Sequence, residues 1–302
     1  MQLANFFSVK SMLKEDQIIG EIPSSSQAYK NFFKIAWPSA LEAFLVGAIG
    51  SVDTIMVGKL GEGAITAVGI TNQPKLILLA MITSLNVGVT AITARRKGQQ
   101  DQRGANRTLR AGIVICAILS VLMSIIGFIF AKPILILAGA EDSYIKDAIT
   151  YFRILMFSIP FQALNLTINA GHRGCGKTKI SMTTNIISNL VNIFFDYLLI
   201  NGVAFFPRME VAGAAIATVI AQATVTLVFI TEARKRPELF SGLNLFVKPD
   251  IYRIKRIVRL GFPVALQSGL FTIIAMIIAR IISRRENVKV KIKLKKIEDK
   301  SA

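Results

Sequence analysis

Ala111-Gly-Ile-Val-Ile-Cys-Ala-Ile-Leu-Ser-Val-Leu-Met-Ser-Ile-Ile-Gly-Phe-Ile-Phe130 is a run of twenty residues without a charge. A helix needs about 20 residues to cross the hydrocarbon layer of a bilayer. A soluble helix would show a narrower apolar stripe with charges opposite. Working outward from this run, apolar spans fall at about 33–58, 63–94, 106–130, 144–170, 179–201, 211–232 and 257–282. Charges are sparse within the spans and crowded between them. Hydrophobic residues make up 53% of the 302 and the mean hydropathy is +0.54, a surplus that these seven spans account for. The chain reads as an all-α polytopic membrane protein, a six-helix transmembrane bundle plus a seventh helix. Pro38, Pro74 and Pro160 lie inside spans one, two and four, where neighbouring helices can satisfy the freed carbonyls.

The connections alternate in charge. Arg95, Arg96, Lys97, Arg103, Arg107 and Arg110 surround the second; Arg173, Lys177 and Lys179 fill the fourth. Arg234, Lys235, Arg236, Lys248, Arg253, Lys255 and Arg256 fill the sixth, whereas the odd connections carry isolated basics beside Glu62, Glu141, Asp142 and Glu210. By the positive-inside rule the N-terminus and the even connections are cytoplasmic. This distribution also explains the net charge of +18 and excludes nucleic acid as a partner, which needs a basic face on a soluble fold. Cys116 and Cys175 have neither disulfide nor metal spacing. The first thirty residues lack an apolar core, so no cleavable signal peptide is expected.

Lys34-Ile-Ala-Trp-Pro-Ser-Ala-Leu-Glu42 in span one aligns with Arg259-Leu-Gly-Phe-Pro-Val-Ala-Leu-Gln267 in span seven. Two proline-containing apolar helices can match by chance. The offset nevertheless falls where a second bundle would open after six spans, and both copies start on the cytoplasmic side. A parallel repeat of two six-helix halves follows. The expected divisions are a cytoplasmic segment 1–32, a membrane lobe 33–232, a basic cytoplasmic linker 233–256, the first helix of an incomplete second lobe 257–282, and a basic tail 283–302.

Polar groups inside the spans carry the functional reading, because an acid at a helix centre costs about 2.5–3.5 kcal/mol on insertion scales. Asp53 and Glu42 lie three turns apart on one face of span one. Asn185, Asn189, Asn192 and Asp196 form a single stripe on span five. Gln162, Asn165 and Asn169 form another on span four, and Gln222 sits in span six. Amides can simply join helices, at about 0.6 kcal/mol per bond. A carboxylate in an apolar cavity can instead hold and release a proton near neutral pH. With neighbouring amide oxygens it can equally hold Na⁺. The candidate ion-coupling and substrate-binding residues are Asp53, Asn192, Asp196, Asn189, Glu42 and Gln222, with Na⁺ at Asp53, Asn192 and Asp196 the one metal considered.

At these residues the sequence resembles the MATE (multidrug and toxic compound extrusion) transporters. The matching strings are Val52-Asp-Thr-Ile-Met-Val-Gly58, Arg173-Gly-Cys-Gly-Lys-Thr-Lys179, Asn189-Leu-Val-Asn-Ile-Phe-Phe-Asp-Tyr-Leu-Leu-Ile-Asn-Gly202 and Val211-Ala-Gly-Ala-Ala-Ile-Ala-Thr218. They occur in order, within a resemblance that covers about residues 30–282. The resemblance implies antiport of organic cations against H⁺ or Na⁺ through two six-helix lobes around a central cavity. It makes Asp53 the protonatable acid, and Asn192 and Asp196 its hydrogen-bonding or cation-binding partners. One branch of the family carries a Glu in span seven where this chain has Phe271. The basic stretch Arg284–Lys296 would lie outside the membrane against the charge rule. It is expected to be out-of-frame or junction sequence beyond Ile282, unless span seven fails to cross. Its alternation of apolar residues and Lys has the period of a strand.

Gly171-His-Arg-Gly-Cys-Gly-Lys-Thr178 fits the spacing of a phosphate-binding loop. An apolar helix precedes it where that loop needs a strand, so no nucleotide is expected. His172 has no partners for a metal site, and no nucleophile–base pair suggests an enzyme. The expected function is secondary active transport of organic cations across a bacterial plasma membrane, with the lipid bilayer and small cationic solutes as partners. No cofactor is expected beyond the coupling ion. Alternatives are a non-transporting remnant of such a protein, or a lipid-linked oligosaccharide flippase, which should show a strongly cationic cavity.

Overall fold

The structure is a computed structural model and describes residues 24–203, 206–235 and 250–301; at residues 35, 49, 53, 233–235, 275–276 and 279–301 it describes the backbone alone. The helices are α1 (Ser25–Gly58), α2 (Glu62–Gly98), α3 (Gln102–Ile129), α4 (Ala131–Ala138), α5 (Ile145–Gly174), α6 (Thr178–Asn201), α7 (Glu210–Lys235) and α8 (Ile251–Ser301). All except the short α4 are long and apolar enough to cross a membrane. No strand occurs among the described residues. Each expected span therefore corresponds to one helix.

The helix ends differ from the apolar boundaries where local hydrogen bonds decide. α1 begins ahead of residue 33 because the Ser24 hydroxyl accepts the Gln27 N–H at 3.3 Å, an N-cap. The third span ends with α3 at Ile129, close to the expected boundary, and the short helix α4 follows in the connection to the next span. Pro133 falls in the first turn of α4, where its missing N–H goes unneeded. Of the expected divisions, residues 1–23 and 236–249 lie outside the described residues. The 283–302 segment carries a strand-like period, yet its backbone stays helical as far as Ser301. A strand requires a partner for its hydrogen bonds, whereas a helix supplies its own. Within α8, Ile251–Ile274 is long and apolar enough to cross a membrane.

α2 and α5 form the centre of the lobe. α2 packs on α5, α3 and α8, while α5 also meets α7 and α3. Ile82 and Val89 of α2, Leu135 of α4, and Phe152, Met156 and Ile159 of α5 are fully buried. The Thr90 hydroxyl donates to the Ala170 carbonyl at 3.1 Å, and Ser124 donates to the Met156 carbonyl at 2.6 Å. α1 lies at the margin, mainly against α6, which in turn packs on α7. Its Trp37, Phe44 and Ile55 are exposed, as are Phe262 and Phe271 of α8. Such apolar exposure suits a lipid surface.

α2 and α8 run antiparallel and approach most closely at two glycines. A Cβ on Gly88 would sit 2.7 Å from the Ile257 carbonyl oxygen, and one on Gly261 would sit 2.8 Å from that of Ser84. Lipid tails are as apolar as leucine, so helix association in a membrane depends on such small-residue contacts. Gly88→Ala should destabilise the protein by about 1–3 kcal/mol through this overlap. Gly69→Ala, also in α2 but with nothing within 4 Å, should leave stability unchanged or slightly higher. Thermal unfolding of both variants in detergent checks the contrast; equal Tm values would overturn it.

Candidate functional site

The α1–α6 contact is built around Glu42. Its carboxylate accepts the Asn185 amide at 2.5 Å and the Ser181 hydroxyl at 3.2 Å. Arg173, in the last turn of α5, stands 3.8 Å from the same carboxylate and donates to Ser181 at 3.4 Å. Three helices thus converge on one acid whose side chain is 12% exposed. Farther along, Met56 of α1 and Lys59 at its C-cap share a cavity of about 390 Å³ with Ile193, Tyr197 and Asn201 of α6. Both contacts advance in the same chain direction, so α1 and α6 are parallel.

The polar stripe of α6 is divided. Asn185 is bonded to Glu42, whereas the amide nitrogens of Asn189 and Asn192 are buried without a hydrogen-bond partner among the described residues. Asp196 is fully buried. Asp53 lies in the same α1 that flanks this stripe; its side chain is outside the described residues.

Gln222 belongs to a separate network. Asn165 donates to the Gln222 carbonyl at 3.0 Å and to its side-chain oxygen at 2.9 Å. Thr226 donates to Asn165 at 3.0 Å, and Gln222 reaches Ser188 of α6 at 3.5 Å. This joins α5, α6 and α7. Asn169 likewise accepts from Thr184 of α6 at 3.3 Å. The structure therefore brings Glu42 to the head of the α6 stripe and places Gln222 in a helix-joining cluster.

Arg173 was legible as a cytoplasmic basic residue and nothing more. Its acidic partner lies 131 positions earlier in the chain, beyond the reach of any local pattern. Ser181 was silent for the same reason. His172, read as lone in a turn, is buried in α5 and stacks on Phe229 of α7 with ring centroids 6.3 Å apart. The loop-like Gly171–Thr178 string is the C-cap of α5. Lys177 N–H bonds the His172 carbonyl at 2.8 Å and Gly176 N–H bonds that of Arg173 at 2.9 Å. Gly176 takes φ +75°, as this cap requires. Burial pushes the Cys175 thiol up from its ordinary pKa, against the opposing pull of Lys97 and Lys177. A larger cavity of about 750 Å³, with Arg95, Lys255, Arg256 and Arg259 on its walls, lies apart from the α6 stripe, between the ends of α2 and α8.

Seven crossing helices with buried polar stripes define a polytopic α-helical membrane protein. The MatE family model matches residues 38–198, more than half of the 302, and the chain belongs to that family. It is 26% identical over 255 residues to the "Probable multidrug resistance protein NorM" of Thermotoga maritima, covering 84% of this chain and 54% of that one. It is 28% identical over 181 residues to the "FAD transporter" of Shewanella oneidensis, covering 60% and 40%. A solved outward-facing multidrug resistance MATE family transporter of the MOP superfamily superposes with a TM-score of 0.71 at 25% identity, over 79% of this chain and 52% of that one. The chain thus spans about half the length of the relatives it matches.

The Glu42 cluster should behave as a coupled unit. A double-mutant cycle of Glu42→Gln and Arg173→Gln should give a coupling of about 1 kcal/mol, kept modest because the Arg173 side chain is 37% exposed. Asn165→Ala removes three inter-helix bonds and should cost about 2 kcal/mol. Unfolding in detergent measures both, and additive Glu42 and Arg173 effects would refute the coupling.

Proposed function

We propose that the chain forms one lobe of a secondary active transporter in the plasma membrane, with its N-terminus cytoplasmic, exporting organic cations in exchange for H⁺ or Na⁺. Asp53, Asn192 and Asp196 form its ion- and substrate-binding centre in this reading. Asn189 supports that centre, and Glu42 and Gln222 hold the surrounding helices in register.

The observation that carries this is the register of α1 against α6. Glu42 meets Asn185, and the two helices run parallel. Asp53 and Asp196 each lie eleven residues farther along, three turns and about 16 Å at the helical rise. The contact at Glu42 therefore extrapolates to bring the Asp53 position level with Asp196, beside the buried amides of Asn189 and Asn192. A carboxylate within the lipid layer is most stable when neutralised by a proton, Na⁺ or a cationic substrate. Competition among these for one site couples the ion gradient to export. No cofactor is needed in this scheme.

The flippase alternative calls for cations beside the transport path. The cationic cavity lies at the helix ends, whereas the α6 stripe carries amides and an acid, so a cationic cargo is favoured. One relative is named for FAD, an anionic molecule, so flavin export belongs in the same assay.

Ethidium and flavin efflux should be followed in cells expressing the chain alone and joined to the second half of the Thermotoga maritima relative. Gradient-driven ethidium efflux is expected from the joined form. Asp53→Asn should reduce it at least tenfold, and Asp196→Asn to a similar degree. Undiminished efflux in both variants would remove these acids from the mechanism; flavin export without ethidium export would replace the substrate class.

A further inference from the structure

The cavity between α2 and α8 lies beside their close approach at Gly88 and Gly261. Its α8 wall presents Lys255, Arg256 and Arg259 within little more than one turn, and Arg95 faces them from the end of α2. Ion pairs on this side are formed elsewhere, by Arg96 with Asp101 and by Arg253 with Asp250. Among the described residues, none of the four cavity cations is within ion-pairing distance of a carboxylate. Four positive charges sharing about 750 Å³ repel one another, and an anion relieves that repulsion. Ile92 and Leu260 line the same cavity and give it an apolar wall beside the cations. A free inorganic anion would make no use of that wall. An amphiphile with an anionic head would use both.

The end of α2 and the start of α8 lie on the side of the lobe richest in Lys and Arg, which the positive-inside rule makes cytoplasmic. Anionic lipids bind basic pockets between helices on that face. We propose that this cavity is a binding site for an anionic phospholipid, its headgroup phosphate held between Arg95 and the Lys255–Arg256–Arg259 face and its first acyl carbons against Ile92 and Leu260. The lipid bridges α2 and α8, adding a contact between the six-helix lobe and the helix that follows it. The inference rests on the cavity and stands or falls independently of the transported substrate.

The full 302-residue chain, purified in a neutral detergent, can be titrated with phosphatidylglycerol, phosphatidylcholine or inorganic phosphate at matched ionic strength. Phosphatidylglycerol should raise the Tm and remain bound in native mass spectra; the other two probes should do neither. The Arg95→Gln/Arg259→Gln double variant should bind phosphatidylglycerol roughly 25-fold more weakly, at about fivefold per basic residue. Arg95→Lys/Arg259→Lys should retain binding, which separates loss of charge from loss of fold. Lys132→Gln/Arg208→Gln, on the opposite side, should bind as the parent does. Equal protection by inorganic phosphate would reassign the cavity to a free anion. Unchanged lipid binding in the Gln variant, or equal loss in the Lys132/Arg208 control, would overturn the proposal.

Discussion

Hydrocarbon offers no hydrogen bonds, and this single deficiency organises the molecule. Each crossing segment satisfies its own backbone by being helical. The hydrophobic effect that assembles soluble bundles is also lost once the helices are in lipid, since an apolar face is equally at home against acyl chains. Shape and polar contact must then hold the helices together. The lobe uses both. Glycines let α2 meet α8 nearly backbone to backbone, and hydroxyl-to-carbonyl bonds tie α2 and α3 to α5.

The same deficiency sorts the buried amides into two kinds. Asn165, Gln222, Thr226 and Ser188 bond to one another, and their cost in lipid is cancelled within the protein. The amide nitrogens of Asn189 and Asn192 are buried with no hydrogen-bond partner among the described residues.

The spans were readable because apolar length is a property of each segment by itself. The run from Ala111 to Phe130 needed no neighbour to be recognised. The α6 stripe was readable for a related reason, since steps of four, three and four place Asn185 through Asp196 on one helix face whatever packs against them. What packs against them was not readable. Asn185 meets Glu42 across 143 positions, and Gln222 meets Asn165 across 57, with no local signal for either pairing. The phosphate-loop spacing at Gly171–Thr178 shows the opposite hazard. Its glycine spacing also suits a helix cap, and the preceding apolar helix decided between the two.

Glu42 is also a candidate for ion coupling by sequence, behind Asp53, and its surroundings argue for a different duty. Its carboxylate is already engaged by Asn185, Ser181 and Arg173. A proton or Na⁺ binding there would have to displace those donors or forfeit their interaction, which weakens the site for a reversible ion. Arg173 can reach Glu42 because it occupies the last turn of α5, where a long side chain can extend inward from the basic end. Glu42 therefore ties α1 to α6 and to the end of α5.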